Sequence, residues 1–269
     1  MKRHPGLDPE VVERADATLA GVPRDAPVGD VGIGVVAPHD FALDRELWRW
    51  APERATLLVT RTPYCALPVS IDQAAEVGDV DVVAECTSRL LATRPEVVAY
   101  ACTSGSFVHG VEGERALLEA MFASGAPAAV STSGAMVSAL RHLGVSRIAV
   151  ATPYDEAITC ALEGYLADTG VAVTGSARLG LAGLIWRVPY AVTVDLAREA
   201  VAAGSGCEAV FLSCTNLPTY DLIVPLEREL GIPVLTANQV TVWAALQLAG
   251  LDAVGPGQRL LDTRHGRAA

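Results

Sequence analysis

The 269-residue chain is 51% hydrophobic and sets 20 Lys and Arg against 31 Asp and Glu, for a formal charge of −11. That size and apolar share can fill one large core or two ordinary ones, while the acidic balance excludes nucleic acid as a partner, because phosphates call for clustered Lys and Arg. No apolar run of about 18 residues could cross a bilayer and no N-terminal stretch resembles a signal peptide, so the expectation is a cytoplasmic protein with no membrane partner.

Residues 1–29 read as an N-terminal extension, Pro-rich and charged, with one amphipathic helix over Asp8–Ala20. Val31–Ala37 is a continuous apolar run stopped by Pro38-His39-Asp40, the pattern of a strand covered on both faces. A helix over Leu43–Trp50 and a strand over Ala55–Thr60 follow, and Thr62–Asp72, with Pro63 and Pro68, is a candidate mobile loop. Then come a helix over Asp79–Ala92, a strand ending at Cys102, a helix over Val111–Ser124, a strand over Ala128–Ser131 and a helix over Met136–Leu143.

The pattern then restarts. Arg147–Asp155 repeats the texture of Gly32–Asp40, so that Pro153-Tyr154-Asp155 answers Pro38-His39-Asp40. Val98–Ser104 and Phe211–Asn216 are both apolar runs ending in Cys-Thr and a small polar residue, and Gly231–Leu235 matches Gly125–Ala129. Three matches in one order imply two α/β units of the same topology, each with a parallel sheet. The expected architecture is two pseudo-symmetric Rossmann-like (flavodoxin-like) domains, 30–133 plus 238–269 and 134–237, with an active site between them. The helix near Val240–Ala249 returns to the first domain. Apolar units of this kind often pair, so a homo-oligomer is expected.

The six cysteines, at 65, 86, 102, 160, 207 and 214, include no Cys-x-x-Cys pair and no zinc-like His spacing. No metal is therefore expected. Equivalence in the repeat singles out Cys102 and Cys214, which would face each other across the cleft where small ligands bind. A turn leading into a helix would lower each thiol's pKa through N–H dipoles. Thr103, Ser104, Thr215 and Asn216 would hold a carboxylate and the charge that develops beside it. Cys65 would reach the site only as part of a lid, and Cys86, Cys160 and Cys207 read as packing residues.

The motifs Cys102-Thr103-Ser104-Gly105-Ser106, Ser213-Cys214-Thr215-Asn216-Leu217 and Pro153-Tyr154-Asp155 resemble the aspartate/glutamate racemase superfamily, most of all the maleate cis-trans isomerases and arylmalonate decarboxylases. The resemblance runs from about residue 31 to 262. It implies a cofactor-independent enzyme acting on a small carboxylate, with Cys102 and Cys214 as catalytic cysteines and Tyr154 helping to hold a substrate carboxylate. Maleate isomerases carry an asparagine in the loop after the first strand, where this chain has Pro38-His39-Asp40-Phe41-Ala42, and a second near 181–188, where it has none. The decarboxylases resemble a one-cysteine version of the site.

A maleate isomerase-like activity is the leading expectation. An amino-acid racemase, an arylmalonate-type decarboxylase and a carboxylate-binding protein without turnover are the alternatives. His39, the repeat counterpart of Tyr154, is a candidate substrate contact. Capping of the following helix is the preferred role for Asp40 and Asp155, His109 reads as a helix-entry residue, and Trp48, Trp50, Trp186 and Trp243 as core or subunit contacts.

Overall fold

The computed structural model describes residues 29–262, so the helix expected over Asp8–Ala20 lies outside the described residues. Eight strands form two four-stranded sheets: β1 (Val31–Ala37), β2 (Ala55–Arg61), β3 (Val97–Tyr100) and β4 (Ala129–Ser131) in the first, β5 (Arg147–Thr152), β6 (Ala172–Arg178), β7 (Ala209–Leu212) and β8 (Val234–Thr236) in the second. The spatial orders are β2-β1-β3-β4 and β6-β5-β7-β8, and every pairing is parallel. Strands hydrogen-bonded on both sides and covered by helices on both faces need apolar side chains throughout. β3 and β7, Val-Val-Ala-Tyr and Ala-Val-Phe-Leu, are buried at every residue.

The repeat read from sequence is thus a repeat of hydrogen bonds. Glu96 N–H donates to the Gly32 carbonyl at 2.8 Å and Glu208 N–H to that of Arg147 at 2.7 Å. At the other end of the sheets Ala101 N–H donates to the Val36 carbonyl at 2.8 Å and Ser213 N–H to that of Ala151 at 2.9 Å. The halves differ at one edge, where a register shift between Ile148 and Ala149 puts a bulge in the β5–β6 pairing.

Helices fill the crossovers: α1 (Asp44–Trp48), α2 (Ile71–Val77), α3 (Val80–Leu90), α4 (Thr103–Phe107), α5 (Gly110–Ala123), α6 (Thr132–Leu143), α7 (Glu156–Asp168), α8 (Tyr190–Ala202), α9 (Ile223–Leu230) and α10 (Ala237–Leu248). α10 is almost wholly buried because it packs against α6, β3 and β4 of the first half as well as β8. Thr132 and Thr241 hydroxyls meet at 2.8 Å between α6 and α10. Among the described residues no helix is long and apolar enough to cross a membrane.

The Thr62–Asp72 stretch gives way in its last two residues to α2, which continues as a helix to Val77. Its start was legible, since Ser70-Ile71-Asp72-Gln73 has the Ser-x-x-Gln pattern of a capping box, and Ser70 Oγ accepts from Gln73 N–H at 3.1 Å. Trp50 and Trp243 are buried in the core, while Trp48 is 45% exposed on this single chain. One other expectation needs correction. Cys160 is an exposed residue of α7 rather than a packing one, because it falls on the outer face of that helix.

Polar side chains tie the segment from α1 to Trp50 to the second half and to the C-terminal segment. Glu46 on α1 accepts from Thr219 N–H at 3.0 Å, the Thr219 hydroxyl at 2.9 Å, Tyr220 N–H at 3.3 Å and the Asn238 amide at 3.1 Å. Trp50 donates its indole N–H to Gln258 Oε1 at 2.9 Å. Arg49 forms a two-pronged pair with Asp221 and lies 3.5 Å over the Tyr220 ring.

Candidate active site

β3 and β7 both end at a cleft between the halves. The Val36 and Ala151 bonds hold Ala101 and Ser213 in their sheets, so Cys102 and Cys214 are the first residues to leave them, at the carboxyl ends of parallel strands. Both cysteines line one small cavity of about 30 Å3, together with Thr103, Ser104, Tyr154, Thr215 and Asn216. Pro38 and Asp40 from the loop after β1 close one side, and Val69, Gln73 and Ile185 cover another. A hydrogen bond from Val69 N–H to the Ala182 carbonyl, 3.0 Å long, connects the loop before α2 with the loop after β6 beside this cavity.

The two cysteine loops are not copies in detail. Cys102 is extended (φ −140°) and directly precedes α4, whose five residues are all buried. Gly105 is required there: a Cβ would sit 2.2 Å from the Tyr100 hydroxyl and 3.2 Å from Cys102 Sγ. Cys214 has φ +88°, a left-handed backbone unusual for a residue with a side chain. No helix starts after it, which corrects the expectation that both loops open onto one. Leu217 precedes Pro218 and is steered away from helical backbone, so the chain makes a turn closed by Leu217 N–H to the Cys214 carbonyl at 3.1 Å.

These settings also correct the expected titration. Burial pushes the Cys102 thiol up, and the Gly105 N–H and the hydroxyls of Tyr100 and Ser104 only partly offset it. Ser104 Oγ lies 3.9 Å from the sulfur, and the Tyr100 hydroxyl donates its own proton to the Val77 carbonyl at 2.8 Å. Cys214 keeps an exposed edge, yet burial raises it to about 12, against Tyr154 and the Asn216 N–H, which lower it. Each sulfur also feels the Asp40 carboxylate, which raises both. Tyr154 is held well above its ordinary value by burial and by the neighbouring Cys214, so its phenol remains a proton donor.

Other expected site residues take unequal parts. The Thr103 hydroxyl is buried without a hydrogen-bond partner among the described residues, which leaves it available to a ligand. The Thr215 hydroxyl instead donates to the Ala101 carbonyl at 3.1 Å. The Asn216 amide is likewise committed, accepting from Ala42 N–H and donating to the Asp40 carbonyl, both at 3.0 Å. These two side chains tie the halves together at the cleft floor.

His39 does not line the cavity; its ring packs edge-on against exposed Tyr64, 5.6 Å between centroids. Cys65 is buried outside the lining. Asp155 caps α7 by accepting from Ile158 N–H at 3.0 Å, whereas α1 begins after Leu43 with no side-chain cap, so Asp40 does not share that role. Gln73, Val69 and Ile185 also line the cavity without being among the expected site residues, and of these only Gln73 carries a sequence signal, the capping pattern of α2. Among the described residues no group of three or more His, Cys, Asp or Glu is placed to hold a metal ion.

A family model described as arylmalonate decarboxylase matches residues 54–261. Arylmalonate decarboxylase of Bordetella bronchiseptica is 35% identical over 238 residues, 86% of this chain and 96% of that protein. A crystal structure of a liganded arylmalonate decarboxylase variant, with one glycine changed to cysteine and one cysteine to serine, superimposes with a TM-score of 0.80 at 30% identity, covering 86% of this chain and 99% of that one. The maleate cis-trans isomerase of Nocardia farcinica, solved as a cysteine-to-serine variant with a covalently bound succinylcysteine intermediate, gives a TM-score of 0.75 at 26% identity, covering 86% and 98%. These relatives are enzymes, decarboxylases and isomerases, and the isomerase forms its intermediate on a cysteine. With the family model spanning most of its length and that 35%-identical relative covered almost end to end, the chain belongs to the arylmalonate decarboxylase family.

Proposed function

We propose that the protein is a cofactor-independent isomerase of a small carboxylate, with Cys102 and Cys214 as the reacting pair. The observation that carries this reading is that two thiols from equivalent strand ends line one cavity beside an unpartnered hydroxyl. Isomerisation needs one thiolate and one thiol. Cys102, whose sulfur charge the Gly105 N–H and the Ser104 hydroxyl can stabilise, is the thiolate, and Cys214, raised to about 12, is the proton donor.

On an enedioate the Cys102 thiolate adds to the double bond. The electron pair moves into the adjacent carboxylate as an enediolate, held by the Thr103 and Ser104 hydroxyls, and Cys214 protonates the carbon. Rotation about the new single bond, return of the proton to Cys214 and expulsion of Cys102 give the trans isomer. The succinylcysteine intermediate of the Nocardia isomerase supports this route. On a saturated acid the same pair removes an α-proton with Cys102 and returns one from Cys214 on the other face. Decarboxylation is the second reading, favoured by the 35% identity to the Bordetella enzyme: loss of carbon dioxide from a malonate leaves an enediolate that a thiol protonates.

Proton NMR in D2O with maleate, α-amino acids, hydroxy acids and arylmalonates separates these outcomes. Geometric conversion, or α-deuteration with inversion, is the expected result. Carbon dioxide loss alone supports the second reading, and no reaction across the panel overturns both.

The thiolate assignment also fixes a pH dependence. A raised Cys102 pKa leaves the thiol protonated at neutral pH, so kcat/KM rises with pH, by about tenfold per unit on the acid side of that ionisation. Cys214 loses its proton only near 12, so no alkaline fall from that group enters the ordinary range. A kcat/KM profile that is flat between pH 6 and 9 would contradict the assignment.

A further inference from the structure

Among the described residues the one formal charge in the cavity lining is negative. Asp40 is placed firmly there, since its main-chain carbonyl is held by the Asn216 amide, and its carboxylate has no hydrogen-bond or ion-pair partner among the described residues. Its repeat counterpart Asp155 caps a helix; Asp40 is free of that duty. Among the described residues no Lys, Arg or His lines the cavity. The guanidinium of Arg61 is engaged by Asp44 at 2.7 Å and by the Phe41 carbonyl at 3.2 Å. Arg187 is exposed on the short helical turn whose Ile185 reaches the site.

We propose that Asp40 selects the substrate, so that of the routes above the cleft runs the α-proton one: it takes an acid with one carboxylate and a cationic substituent, such as an ammonium group, facing Asp40, and disfavours dicarboxylates, maleate included. The inference rests on the cleft being the carboxylate-reacting site described above. The Thr103 and Ser104 hydroxyls and adjacent N–H groups can hold one carboxylate. A second would meet the Asp40 carboxylate with no cation between them. A cationic donor at that position instead completes a charge-assisted hydrogen bond that Asp40 otherwise lacks.

The test is protection of Cys102 and Cys214 from iodoacetamide at pH 8.5, followed by peptide mass spectrometry, with propionate, alanine and succinate as probes. Alanine is expected to protect at the lowest concentration and succinate at the highest. Asp40→Asn keeps the shape and removes the charge; it should lower the half-protecting concentration of succinate at least about tenfold, a change of 1.4 kcal/mol, and raise that of alanine. Asp40→Ser, with thermal melting of both variants, controls for folding. Better protection of the wild type by succinate than by alanine, or an alanine-to-succinate ratio unchanged in both variants, overturns the proposal. Failure of every probe to protect the wild type overturns the carboxylate reading itself, and the proposal with it.

Discussion

Cys102→Ala is expected to lower kcat/KM by about 10^4-fold, the upper range for loss of one positioned acid–base group and more than any binding contact would cost. The variant removes the sulfur that the Gly105 N–H and the Ser104 hydroxyl face, and the Tyr154 phenol, held protonated, cannot take its place as the base. Cys214→Ala should give a different defect. The thiolate still forms, so with a saturated acid one face of the α-carbon still exchanges with D2O, but the inverted product does not accumulate. Measuring exchange and inversion in the same NMR sample separates the two variants. Isomerisation surviving in either at more than a tenth of the wild-type rate would remove that cysteine from the mechanism.

The largest effect on stability is expected at Glu46. Its carboxylate is 7% exposed and accepts from four donors, three of them on the Thr219–Tyr220 segment and one on α10. Glu46→Ala leaves these donors buried and unsatisfied, at about 1 to 3 kcal/mol for each that water cannot reach. A total loss of roughly 3 kcal/mol is expected once water enters the space left by the side chain. Glu46→Gln, which keeps the shape and some of the acceptance, should lose less. Urea unfolding reads both variants as a lower midpoint at unchanged slope. Because three of the donors belong to the other half of the molecule, Glu46→Ala should also raise KM by loosening the cleft floor.

Much of this architecture is legible in the sequence because its strands are buried on both faces. Apolar runs stopped by Pro-x-Asp or Cys-Thr mark the strand ends without help from tertiary contacts, and the same marks in the same order give the repeat. What escapes is what packing imposes. α4 holds five residues, including Gly105, and no propensity favours it; it forms where the chain leaving β3 turns beneath Tyr100. Thr215 and Asn216 match Thr103 and Ser104 in sequence, yet their side chains bond across to Ala101, Asp40 and Ala42, partners that exist only after the halves meet. Asp40 and Asp155 likewise share a sequence position but not a role, because α1 starts three residues late and α7 does not. Burial of the thiols has the same origin: the N–H dipoles read from the loop around Cys102 are present, but closure of one half on the other outweighs them.

The left-handed backbone at Cys214 bears on how this chain can change over time. A side chain at φ +88° costs on the order of 1 to 3 kcal/mol relative to relaxed backbone, and glycine escapes that cost. Stability and chemistry therefore pull in opposite directions at this single codon. Glycine at 214 would relax the backbone and remove the second thiol together, whereas Cys102, in ordinary extended backbone, offers glycine no such gain. Cysteine at the strained position is therefore held against a local backbone cost that the chemistry of its thiol must offset.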